Sequence, residues 1–115
     1  YLIKSDQYDV IEKLKLLVLK LESINEKVNY SVEQYVIEEY FKEKMKYEGV
    51  YMQKVKSKTE KINLAIDNNW LILNMDQRNS NLAIEVLEPE APNSFVSYSV
   101  IPTFQGDVLP IYRLN

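Results

Sequence analysis

The stretch SVEQYVIEEYFKEKMKYEG, residues 31–49, decides how the rest of the chain is read. Ser31-Val32-Glu33-Gln34 has the form of a helix capping box, with Ser31 as the cap and Gln34 reaching back. Val32, Tyr35, Val36, Tyr40, Phe41 and Met45 recur at three- and four-residue steps, the spacing of one helix face. Gly49 stands where a helix ends in a left-handed residue. The stretch therefore predicts a helix over 32–48.

Working toward the start, residues 5–28 predict another helix. Val10, Ile11, Leu14, Leu17, Val18, Leu21, Ile24 and Val28 form a wide apolar stripe, broader than a coiled-coil seam. Asn29 and Tyr30 become a short turn, which sets the two helices antiparallel. Working toward the end, the period drops to two. Strands are expected near 50–57, 61–67, 70–75, 82–88, 94–103 and 108–114. Asp67-Asn68-Asn69 and Gln105-Gly106-Asp107 read as tight turns. Pro102 and Pro110 suggest that the last two strands are edges or carry bulges. The expectation is a single α+β domain over 1–115, with a helical part at 5–48 and a sheet part at 50–114. Two N-terminal antiparallel helices would pack on one face of a five- to six-stranded, mainly antiparallel sheet. That order of elements is shared with cone-shaped domains in which helices cover a curved sheet, and element order alone carries no function.

Composition removes much chemistry. The 115 residues contain no histidine and no cysteine. Imidazole acid–base catalysis, Ser-His-Asp triads, thiolate nucleophiles, disulfides and the usual zinc sites are thereby excluded. Two isolated glycines, Gly49 and Gly106, cannot build a phosphate-cradling loop. Glu38-Glu39 read as a solvated face, and Glu88-Pro89-Glu90-Ala91-Pro92 reads as an acidic connector. No cofactor and no enzymatic activity are expected.

Charge is uneven along the chain. The net charge is −3, yet residues 42–61 hold seven lysines and three glutamates. Over residues 40–61 these lysines interleave with Tyr40, Phe41, Tyr47 and Tyr51, as in sites that hold single-stranded nucleic acid. Candidate contacts are Lys42, Lys46, Tyr47, Tyr51, Lys54, Lys56 and Lys58. The segment has no arginine, the stronger phosphate-fork residue, and Lys54, Lys56 and Lys58 also suit a guarded strand edge. Nucleic acid is therefore not the favoured partner. Nine tyrosines suit a protein–protein surface, so the leading expectation is a non-enzymatic interaction or assembly domain with a protein partner or a second copy. A small nucleic-acid-associated protein and a cone holding a small apolar ligand are the alternatives. No apolar run approaches the roughly 18 residues of a membrane span. The apolar opening Tyr1-Leu2-Ile3, followed by Lys4, is also compatible with the stub of an anchor absent from this chain. Cell envelope and cytoplasm stand as equal expectations.

Overall fold

A computed structural model describes residues 1–114. These form six strands and two helices: β1 (Leu2–Lys4), α1 (Tyr8–Leu16), β2 (Glu22–Ser23), β3 (Val28–Tyr47), β4 (Val50–Ile66), β5 (Trp70–Ile72), α2 (Ser80–Leu87) and β6 (Val108–Leu114). All six strands belong to one sheet, in the order β2-β5-β1-β6-β3-β4, and every pairing is antiparallel.

This overturns the expected pair of N-terminal helices and the helical part at 5–48. The predicted helix 32–48 is β3, a 20-residue strand. Its composition explains the outcome: Val32, Tyr35, Val36, Ile37, Tyr40 and Phe41 are β-branched or aromatic residues that fit a pleated surface. Gly49 does adopt a positive φ of 82°, but Glu48 does so too at 48°. Two successive left-handed residues between the paired Tyr47 and Val50 make a two-residue hairpin turn. The predicted helix 5–28 shrinks to the nine residues of α1. Val18 stops it by taking a φ of 60°, while Leu19 N–H donates back to Leu14 O at 3.1 Å, a closure of the Schellman type.

Later elements shift as well. The strands expected at 50–57 and 61–67 are one continuous strand, β4. The strand expected at 82–88 is α2, whose buried residues Ala83 and Leu87 stand four apart. Residues 94–103 contain turns and bends and no strand. β6, with Pro110, is a central strand; three of its residues, 109–111, lie between the paired positions Gln34–Tyr112 and Val36–Val108. The Tyr1-Leu2-Ile3 opening is a core element. Leu2 and Ile3 are fully buried in β1, which lies between β5 and β6.

The core has two parts. On one side of the sheet, Ile3, Tyr35, Ile37, Leu109 and Ile111 pack with Val10, Ile11 and Leu14 of α1, Ala83 and Leu87 of α2, and Phe95, Val96 and Ile101. Leu2, Ile24, Val32, Ile66 and Trp70 form a second, smaller cluster. An untwisted strand of 20 residues would span roughly 65 Å, whereas the longest dimension of the molecule is 45 Å. β3 must therefore bend. Its register against β4 slips between Ile37 and Glu39 and again between Lys42 and Lys46, and such bulges bend and twist a strand. Beyond the first slip β3 has no partner on its β6 side, so the hairpin continues past the sheet as an arm.

Candidate functional site

All seven residues singled out in the sequence lie on this arm or on the edge strand that leads from it, in two groups. At the tip, Lys42 Nζ and Lys46 Nζ lie 5.1 and 5.5 Å from the centre of the Tyr51 ring, within reach of cation–π attraction. Tyr47 flanks the turn and is exposed, as are Phe41 and Met45. The second group belongs to the sheet edge. Lys54, Lys56 and Lys58 alternate along β4, and each meets a carboxylate: Glu43 at 3.8 Å, Glu39 at 3.6 Å and Glu60 at 3.2 Å. Glu60 also accepts a hydrogen bond from Gln34 Nε2 at 2.9 Å. That bond, and then Lys58, hold its pKa below the usual carboxylate range. The β4 part of the basic run, Lys54, Lys56 and Lys58, is thus folded against glutamates.

The arm is anchored at one buried polar residue. Gln53 is 4% exposed. Its Nε2 donates to Val96 O at 2.8 Å and to Ile101 O at 3.3 Å, and its Oε1 accepts from Tyr40 Oη at 2.8 Å. Its backbone N–H donates to Ser97 O at 2.8 Å. These bonds tie β4 to the 94–101 segment, and every polar atom of the side chain is satisfied.

A different cluster, which the sequence reading passed over, lies where β1, β6 and β3 run side by side. Glu88 terminates α2, and its Oε2 accepts two phenol hydroxyls: Tyr1 Oη at 2.5 Å and Tyr35 Oη at 2.6 Å. Its Oε1 lies 3.5 Å from Arg113 Nη1. Arg113 Nη2 is bonded to Glu33 Oε2, directly across the β3–β6 register, and its guanidinium carbon stands 5.9 Å from the Tyr35 ring centre. Burial, and then the hydrogen bond to Glu88, push both phenol pKa values well above the ordinary tyrosine range. The Glu33 bond raises Arg113 further. Next to this cluster is a cavity of about 610 Å³ bounded by Tyr1, Ile72, Leu73, Asn74, Met75, Ile84, Glu88, Arg113 and Leu114. A mostly apolar hollow with a few convergent polar groups is the usual form of a small-molecule site.

The sequence did contain one signal for it. Arg113 is one of two arginines in the chain and sits in the otherwise uncharged run Val108–Leu114. A charge inside a core strand requires a partner. The acidic proline-containing segment that supplies Glu88 reads in the sequence as a connector. Among the described residues no group of three or more His, Cys, Asp or Glu is arranged to hold a metal ion.

No family model matches the chain, and no solved structure does. Three curated proteins do match it. Across all 115 residues the chain is 32% identical to Carboxypeptidase 2 of Trichophyton equinum, 31% to that of Trichophyton tonsurans and 30% to that of Trichophyton rubrum. The chain spans about a fifth of those relatives, 21% of the length of each. The similarity to carboxypeptidases is therefore distant and partial.

Proposed function

We propose that this chain is a non-catalytic interaction domain of a carboxypeptidase-type polypeptide, and that its partner surface is the β3–β4 arm. One observation carries the reading. The chain matches a fifth of the Carboxypeptidase 2 proteins along its whole length, yet it contains no histidine and no cysteine. Peptide hydrolysis by a zinc site of the carboxypeptidase A type relies on histidine ligands, and hydrolysis by a serine triad relies on an imidazole base. A segment without imidazole supplies neither the histidine ligands nor the triad base, so those groups would come from elsewhere in such a polypeptide. The arm offers Phe41, Met45 and Tyr47 to solvent at 55%, 82% and 54% exposure, and aromatic residues and methionine are enriched at protein interfaces. Nucleic acid has less support, because Lys54, Lys56 and Lys58 each face a glutamate.

The test is to titrate the chain into the remainder of Trichophyton equinum Carboxypeptidase 2, and to assay the chain alone for release of C-terminal residues from peptides. Saturable binding is expected, weakened at least about tenfold by the double change Met45→Asp and Tyr47→Ser, with no release by the chain alone. Turnover by the chain alone would overturn the non-catalytic reading. Absence of binding, or binding indifferent to the arm, would overturn the interaction reading.

A further inference from the structure

We propose that the cavity beside Glu88 is a binding site for a small organic ammonium ion, an amine with an apolar body. The inference rests on the cavity and its charge, independently of any partner of the arm. Its walls Leu73, Met75, Ile84 and Leu114 are apolar, and a space of about 610 Å³ is that of a small-ligand pocket. Met75 and Ile84 are 36% and 45% exposed, which leaves the hollow open to solvent on their side.

The polar end selects the head group. Of the two charged side chains that bound the cavity, Arg113 is already bonded to Glu33. Glu88 remains, and its two oxygens are in different states. Oε2 is filled by the Tyr1 and Tyr35 hydroxyls. Oε1 has a 3.5 Å contact with Arg113 Nη1, longer than the roughly 2.7–2.9 Å of a good charge-assisted bond. It therefore retains acceptor capacity toward a donor that enters the cavity. Glu33 and Glu88 together outweigh the single guanidinium, so the cluster of side chains has a negative balance that favours a cation over an anion.

Calorimetric titration with three probes of one shape tests the proposal: 2-phenylethylammonium, 2-phenylethanol and 3-phenylpropanoate at neutral pH. The ammonium is expected to bind at least about tenfold more tightly than the alcohol, and the carboxylate more weakly still. In Glu88→Gln the preference for ammonium over alcohol is expected to fall below about threefold, a ratio that loss of stability alone would not change. Ile84→Trp, at an exposed position on the rim, is expected to weaken ammonium and alcohol in parallel by filling the cavity. Equal affinity for ammonium and alcohol, tighter binding of the carboxylate, or no binding of any probe overturns the proposal. So does a preference that survives Glu88→Gln, or binding that is indifferent to Ile84→Trp.

Discussion

The arm and the Glu88 cluster use the same alphabet of tyrosine, glutamate and a basic residue, and burial separates them. On the arm, Lys54 and Glu43 keep side-chain exposures of 76% and 39%, and Lys56 and Glu39 keep 73% and 68%. Their charges are met largely by water, so each pair contributes little. In the cluster Arg113 reaches solvent at 43% exposure, but Glu33 and Glu88 are 18% and 25% exposed, and Tyr1 and Tyr35 only 7% and 2%. There, each hydrogen bond to a charged group is worth more, and a group left without its partner is costly. A run of charge that is conspicuous in the sequence can thus be energetically quiet, while one glutamate in a proline-rich segment holds three elements together.

The largest expected effect follows from removing that glutamate. Glu88→Ala leaves the hydroxyls of two buried tyrosines without their acceptor and Arg113 with Glu33 as its remaining carboxylate. The expected loss is roughly 3 kcal/mol of folding stability, read by urea unfolding. A loss below about 0.5 kcal/mol, the range of an ordinary surface change, would erase the contrast between the regions. An intermediate effect is expected where the arm itself is buried. Gln53→Ala removes the bonds to Val96 O, Ile101 O and Tyr40 Oη and should cost about 1–2 kcal/mol by the same measurement. The smallest effects belong to the exposed lysines. Lys54→Ala, Lys56→Ala and Lys58→Ala should each change stability by less than about 0.5 kcal/mol. A loss near that of Glu88→Ala at any of the three would show that exposure is not what separates the regions.

The two regions also differed in how legible they were. The turn at 67–69 could be read from Asp67-Asn68-Asn69, and the structure has Asp67 Oδ1 accepting from Asn69 N–H at 2.9 Å. The 108–114 strand was also readable, as a short, nearly continuous apolar run directly after the turn residues Gln105-Gly106-Asp107. β3 was not. With perfect alternation, Tyr35, Ile37 and the residues after them would have shown a period of two. Val32 belongs to one core cluster and Tyr35 to the other, so apolar residues of both strand faces fall at helix-like intervals, and the extra residue Glu38 at the first register slip displaces Tyr40 as well. Gly49 then supported the wrong reading, because a positive φ serves a helix end and a hairpin turn alike. The opposite error befell α2: Leu82, Ile84 and Val86 alternate, but the contacts that decide the element are Ala83 and Leu87, one helical turn apart. The candidate site was hidden for another reason. Tyr1, Glu33, Tyr35, Glu88 and Arg113 are separated by up to 112 positions in sequence, and only the strand order brings them together.

The most direct test of the buried cluster is a spectrophotometric titration of the tyrosines between pH 8 and 12.5, with the protein unfolded in urea as reference. Burial and the Glu88 bond raise the Tyr1 and Tyr35 phenols above their ordinary range, and burial raises Tyr112 as well. The folded state thus favours the protonated phenols. Their stabilising contribution is fully present below the unfolded value of about 10, and it is lost as pH rises from there toward the folded values. The account predicts that these phenols stay protonated at pH values where the urea-unfolded chain is ionised, then ionise together with alkaline unfolding, and that Tyr35→Phe removes one of the late-titrating groups. Superimposable curves for the folded and unfolded chain, with no late step for Tyr35→Phe to remove, would contradict it.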